Sequence, residues 1–262
     1  MEQLQSRSPG FGARMAAEIE PLAVAVWPAR EILACDGWLM RFTGGLTHRG
    51  NSVATFAFQG ADVSIAVDEV ERKYKVRNLV PMFQIATWVQ PDDLAGILTA
   101  RDYEAIAPTF VRVATPADMI GRLPSPGEVS VETGASEAFA ALVVKGSRTE
   151  ADGQERIGIL SRIAVPHVCV TALSDGVAVS CGTAAIVEGN VGVNLMRTSI
   201  AHRRHGHAQR VLAAIARWAE CQGARRIHLG VEMANAPAIA LYARAGFKPA
   251  YSYRYFAKSE TG

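Results

Sequence analysis

Apolar residues recur along this chain in two rhythms, one of helical spacing and one of alternation, and the switches between them outline its elements. From Met15 to Trp27 the apolar positions follow a helical period that stops at Pro28. Two β-rich runs come next, Ile32–Phe42 and Ser52–Phe58, separated by a turn region at Gly44-Gly45. Asp62 can cap a helix over Val63–Tyr74 that ends in the basic cluster Arg72, Lys73 and Lys75. The pattern then predicts a strand at Met82–Trp88, a short helix opened by Pro91-Asp92-Asp93, and a strand or strand pair at Glu104–Val113. Residues 1–14 carry no periodicity and read as a mobile tail.

Between Thr115 and Glu128 stand Pro116, Gly121, Pro124, Pro126 and Gly127, the strongest boundary signal in the sequence. It divides the chain into residues 15–115, a linker at 116–128, and residues 129–262. Beyond the linker, helical patterning runs over Ser130–Gly146 and again near Gln154–Ile163. Strands are predicted at Val168–Leu173, Val177–Val187 and Val191–Thr198, the last two joined by a hairpin turn at Glu188-Gly189-Asn190. A helix (Gly206–Gln222), a strand (Arg226–Glu232), a helix (Ala236–Ala245) and a last β segment (Lys248–Phe256) finish the chain. The helix after Gly206 has the clearest pattern: Ala208, Val211, Leu212, Ile215 and Ala219 share one face, and Gly223 can close it.

Composition narrows the class. At 262 residues, 49% hydrophobic and 20% charged, the chain has enough apolar material for a sizeable core. A net charge of +2, with scattered basic residues, gives no reason to expect nucleic acid as a partner. Cys35, Cys169, Cys181 and Cys221 have no metal-like spacing and read as buried or half-buried thiols of a reducing compartment. Neither a secretory leader nor an apolar stretch of ~20 residues is present, so the cytoplasm is the expected location and no membrane the expected partner.

Candidate chemistry enters at Arg203-Arg204-His205-Gly206-His207-Ala208. A helix start exposes unpaired N–H groups and partial positive charge, which suit a phosphate or pyrophosphate. Gly206 permits close backbone approach, and the arginines add charge. Missing are the Lys-Ser/Thr of a Walker loop and the spacing of a dinucleotide fingerprint, which makes ATP and NAD poor candidates. Alone, the hexamer fits a basic helix start on a solvated surface equally well. Downstream of the next strand, however, stands Asn235-Ala236-Pro237-Ala238-Ile239-Ala240-Leu241-Tyr242-Ala243-Arg244-Ala245-Gly246-Phe247.

With both motifs in place, the stretch from Val168 to Phe256 resembles the GNAT superfamily of acyl-CoA-dependent N-acyltransferases. That resemblance implies an α/β (α+β) fold: a mixed, mostly antiparallel sheet flanked by helices and splayed between two strands. It implies that Arg203, Arg204, His205, Gly206, His207 and Ala208 hold the CoA pyrophosphate. Met196, Arg197 and Thr198 would pair with the pantetheine arm as a strand does, a Met196 N–H facing the thioester oxygen. Arg197 departs from the apolar residue usual there, and either points away from the cofactor or helps recognise an acidic substrate. Asn235 would lie near the pantetheine, though a plain helix N-cap explains it equally well. Tyr242 would protonate the departing thiolate; its alternative is a packing role beside Ile239 and Phe247. Glu232 is the best-placed carboxylate for a general base, ahead of Glu188.

Residues 83–113 look like a worn copy of Ile227–Phe256, with Arg101-Asp102-Tyr103 as a Gly-Phe-like corner but no phosphate-binding loop. The expected layout is therefore a degenerate GNAT-like N-terminal domain and an acyl-CoA-binding GNAT domain at 129–262. Within the run Asp36–Val53, Arg41 and Asn51 are candidates for an acceptor pocket, while strand core and helix cap remain their alternatives. The reading is an acetyl-CoA-dependent N-acetyltransferase, needing no metal, acting on a primary amine of a small molecule or protein. A homodimer stays open. Two rival readings also stay open: an acyl-CoA sensor or pseudoenzyme without turnover, and a generic α/β domain with an incidental anion site.

Overall fold

The computed structural model describes residues 10–86 and 91–258. Its centre is one eleven-stranded sheet. In chain order the strands are β1 (Glu31–Cys35), β2 (Trp38–Phe42), β3 (Val53–Ala54), β4 (Met82–Ala86), β5 (Tyr103–Ala114), β6 (Val129–Glu132), β7 (His167–Ser174), β8 (Val177–Val187), β9 (Asn190–Thr198), β10 (Arg226–Glu232) and β11 (Lys248–Lys258). Across the sheet they run β1-β2-β3-β4-β11-β5-β10-β9-β8-β7-β6, so most neighbours are antiparallel and two pairs, β3/β4 and β9/β10, are parallel. The expected mixed, mostly antiparallel sheet with flanking helices is the fold observed.

Two strands cross over between the halves of the chain. β11 lies between β4 and β5, and β5 lies between β11 and β10. Each half thus lends its last strand to the other, and the cores follow suit. Phe256 of β11 packs in an N-terminal cluster with Trp38, Phe83 and Tyr103, together with helices α2 (Val63–Val76) and α3 (Leu94–Thr99). The C-terminal core packs α7 (His207–Cys221) and α8 (Ala236–Arg244) against one sheet face. On the opposite face sit α5 (Glu137–Lys145) and α6 (Glu150–Leu160).

Three expectations need correction. First, helix α1 (Phe11–Val26) starts inside the supposed tail, because Gly12 lets the helix close on β11: a Cβ there would stand 3.2 Å from the Ala250 carbonyl oxygen. A glycine chosen for close approach leaves no apolar signature. Second, Ser130–Gly146 is not one helix. Val129–Glu132 pairs antiparallel with β7 as an edge strand, and only after Ser136, whose hydroxyl caps the Phe139 N–H, does α5 begin. Four residues of alternation are too few to compete with the longer helical rhythm beside them. Third, Cys221 is exposed rather than buried; Cys169 and Cys181 are buried and Cys35 half-buried.

The segment 116–128 opens with a helix, α4 (Pro116–Ile120), started by a Thr115 cap and Pro116 in the first turn. Its Met119 is fully buried in the α7 core. The end of the predicted strand Met82–Trp88 lies outside the described residues. No described helix is long and apolar enough to cross a membrane.

Because β11 hydrogen-bonds on both sides, a chain ending at Phe247 would leave β4 and β5 with open edges inside the sheet. Such a truncation is expected to abolish cooperative thermal unfolding measured by circular dichroism, in both halves at once.

Candidate active site

β9 and β10 pair over only three residues, Asn190–Gly192 with Arg226–His228. Past that point they part, and a cavity of about 470 Å³ occupies the gap. Its walls are the diverging stretches Val193–Arg197 and Leu229–Glu232. Further lining comes from α6, α8, β5 and β11, from Trp27, and from two loops, one before α6 and one at Leu46–Arg49.

The β9 wall is irregular. Cys181 pairs with Arg197 and Thr183 with Asn194, so Leu195 and Met196 together face Gly182. This is a β-bulge, and the extra residue drops out of the ladder with its backbone groups unpaired by it. Leu195 takes φ +53° to make the bulge. Gly182 opposite the bulge leaves room for the Met196 side chain, whose Sδ lies where a Cβ at that position would stand. The bulge leaves Leu195 and Met196 out of regular register where both line the cavity.

Met196, Arg197, Glu232, Asn235 and Tyr242 all line the cavity. Tyr242 is 7% exposed and packs edge-on against Phe247, ring centroids 5.8 Å apart. Burial pushes its phenol up to about 12, partly offset by the charge of Arg197. It therefore stays protonated at neutral pH and can donate. Asn235 caps α8, its Oδ1 accepting from the Ala238 N–H at 3.2 Å, while also facing the cavity. Glu232 is exposed at the end of β10 and has no ion-pair partner among the described residues.

Outside this cavity, beyond the end of β9, lies the run Arg203–Ala208. Gly206 precedes α7 with φ +82°, and Arg204 also takes a positive φ of +69°. A left-handed residue here lets successive N–H groups converge on one point. His207 and Ala208, in the first helical turn, have N–H groups with no intrahelical acceptor. Arg203, Arg204 and His205 are exposed, whereas His207 is buried, and burial followed by the charge of Arg210 lowers its pKa. Arg210 braces the loop from the other side, donating to the carbonyls of Pro126, Glu128 and Leu173. Thr198 turns inward to Ser180, hydroxyl to hydroxyl at 2.8 Å.

Arg41 and Asn51 lie elsewhere. Arg41 is 1% exposed and donates to the Ser52 carbonyl, the Ser52 hydroxyl and Gln84 Oε1, at 2.7–2.8 Å. Gln84 Nε2 in turn donates to Glu20 Oε2, and the Tyr251 hydroxyl to Glu20 Oε1, each at 2.7 Å. Asn51 holds its own loop: Oδ1 accepts from the Thr43 and Gly45 N–H groups, and Nδ2 donates to the Thr47 carbonyl. Neither side chain lines the cavity, because burial commits each to internal hydrogen bonds. What Asn51 positions is the loop that does reach it, through Thr47, His48 and Arg49. In the sequence, His48 and Arg49 carry no mark beyond polar character beside a glycine. Burial, then nearby Arg148, holds His48 below its usual range, so it is neutral, and its ring stands 5.1 Å from that of Tyr255.

The sheet splayed between two strands and the glycine-started helix beyond it, both implied by the resemblance to the GNAT superfamily, are present here. Residues 16–256 match the family model described as "Probable histone acetyltransferase Rv0428c C-terminal", and the chain belongs to that family. It is 26% identical over 243 residues to the "Uncharacterized N-acetyltransferase YobR" of Bacillus subtilis (strain 168), covering 91% of this chain and 96% of that protein. Among solved structures, a GCN5-related N-acetyltransferase from Kribbella flavida shares the fold at TM-score 0.70 and 20% identity, covering 97% and 98% of the two chains. A tandem GNAT protein from the clavulanic acid biosynthesis pathway matches at TM-score 0.61 and 11% identity, over 91% of this chain and 86% of that one. Among the described residues no cluster of three or more His, Cys, Asp or Glu side chains could hold a metal ion.

Burial raises the Glu20 pKa above its ordinary value, outweighing the hydrogen bond from Tyr251 and the charges of Arg41 and Arg49. Between the unfolded and folded pKa values the native state holds the extra proton, so stability falls as pH rises through that window, by at most ~1.4 kcal/mol per pH unit. Glu20→Gln is expected to flatten this slope in urea titrations run from pH 4 upward.

Proposed function

We propose that the protein transfers an acetyl group from acetyl-CoA to a primary amine by direct attack on the thioester. The single observation that carries this reading is the β9 bulge at the mouth of the splay, with Tyr242 on the facing wall. In the proposed reaction the backbone of β9 at Met196–Thr198 holds the pantetheine arm. The pyrophosphate rests on the N–H groups of Gly206, His207 and Ala208, with Arg203, Arg204 and His205 supplying charge around it. Asn235 fixes the arm from the α8 side.

The chemistry then balances simply. An amine nitrogen attacks the thioester carbon, and the oxyanion that forms is met by a β9 N–H, Met196 foremost. Glu232, directly or through water, accepts the amine proton; its lack of an ion-pair partner supports that role. As the C–S bond breaks, the Tyr242 hydroxyl gives its proton to the sulfur. A phenol kept neutral by burial suits this step better than an exposed one.

We read the N-terminal half as a degenerate copy of the same unit. Supporting this, β4-α3-β5 repeats the order strand, helix, strand of β10-α8-β11, and the corner at Asp102 takes φ +65° where Gly246 takes +97°. The helix α2 of the N-terminal copy starts at an aspartate cap, Asp62, where α7 starts at Gly206 with φ +82°, so one cofactor site per chain is expected.

Gly206→Glu is expected to eliminate acetyl-CoA binding in calorimetry, because it fills the cradle and adds a like charge; unchanged affinity would displace the cofactor site. Tyr242→Phe is expected to lower kcat by about 10²-fold or more with little change in affinity for acetyl-CoA. Tight acetyl-CoA binding without transfer across an amine panel would instead favour a sensor.

A further inference from the structure

The cavity's charge is unusual for a site that accepts an amine. Four arginines line it, Arg49, Arg148, Arg156 and Arg197, against two carboxylates, Asp152 and Glu232. Asp152 is already spent. It accepts from Arg156 Nε at 2.9 Å, lies 3.7 Å from Arg148 Nε, and receives the Arg148 N–H at 3.2 Å. Arg148 is further tied to the Leu46 carbonyl at 2.6 Å.

Arg49 and Arg197 are different, for neither has a carboxylate partner among the described residues. They reach the cavity from different parts of the chain. Arg49 spans the halves, its guanidinium donating to Asn194 Oδ1 of β9 at 2.9 Å and to the Tyr253 hydroxyl of β11 at 3.4 Å. Both partners are neutral, so they orient the charge without cancelling it. Arg197 sits on β9 next to Tyr242, held by its own strand's Met196 carbonyl at 3.0 Å and by close contact with Gly146 at the end of α5. Its Nε has no hydrogen-bond partner. Both guanidinium groups are half-buried, and charge removed even partly from water is favoured by an anion that meets it.

Resting on the proposed transfer reaction, we propose that the acceptor is a small amine that also carries a carboxylate, held by Arg49 and Arg197. Such a molecule would bring its anion to the two unpaired arginines and its amine toward Glu232. Guanidinium groups suit this role because their planar donors match a carboxylate in pairs. A lysine-rich peptide or a polyamine would press further positive charge against the same arginines, which like-charge repulsion opposes.

Matched acceptors test this without any mutation: glycine, aspartate and glutamate, each against its carboxamide, with a lysine-rich peptide and an aminoalkyl phosphate alongside. The acids are expected to exceed the amides in kcat/KM by on the order of tenfold or more, mainly through KM. In Arg49→Gln and Arg197→Gln the preference should shrink to within about twofold, with the wild-type circular dichroism spectrum showing that each variant is folded. Arg49→Lys should restore part of it. Amides equal to acids, or preference for the peptide, would overturn the inference while leaving the transfer reaction standing, and a preference confined to the phosphate would replace the carboxylate. A protein that binds no acetyl-CoA in calorimetry fails at the earlier step, and this inference falls with it.

Discussion

Everything in this molecule hangs on the backbone pairing of β11. A buried strand must satisfy its N–H and C=O groups on both sides, and β11 does so with β4 on one edge and β5 on the other. That requirement ties the two halves into one sheet. It brings Tyr253 and Tyr255 of the chain's C-terminal part beside His48 and Arg49 of its N-terminal part. The cavity between β9 and β10 therefore has walls from both halves, although the motifs that suggest acyl-CoA chemistry all belong to one.

The same principle of satisfied polar groups explains where charge accumulates. Arg41, Gln84, Glu20 and Tyr251 form an unbroken buried chain of hydrogen bonds that knits β2, β4, α1 and β11. A buried arginine whose Nε and Nη2 are committed to internal acceptors supports structure. Arg49 and Arg197, whose only partners are neutral, keep their charge available to the cavity. Arg41 and Arg49, eight positions apart, both bond only neutral groups; they differ in that Arg41 is buried away from the cavity while Arg49 lines it.

How much of this could be read in the sequence depended on whether the cause was local. Caps and helix starts are local: Asp62, Asn235 and Gly206 each mark a helix boundary through their own side chain or φ, and each boundary was legible. The bulge was not. Leucine with φ +53° has no signature, because the conformation at Leu195 is imposed by pairing with β8 and by the room that Gly182 leaves. The strand exchange was equally silent, since alternation shows that β5 and β11 are strands but not which neighbours they take. Arg41 and Asn51 drew notice as polar residues in an apolar run. Arg41 finds its partner at Gln84, too far along the chain for any local window, whereas Asn51 closes its own loop through Thr43, Gly45 and Thr47, a fold of the backbone that residue type alone does not announce.

The placement of β11 also has a bearing on how the fold assembles. Every other strand precedes it in the chain, so β4 and β5 can each form early yet face one another across a gap one strand wide. Joining them requires contacts between residues as far apart as Phe83 and Phe256, and pairing over such separations is slow to nucleate. Until the insertion occurs, both edges are templates for a strand from another molecule. Assembly order, rather than final stability, is then where this architecture is most exposed to aggregation, and a chaperone that shields sheet edges would act at that step.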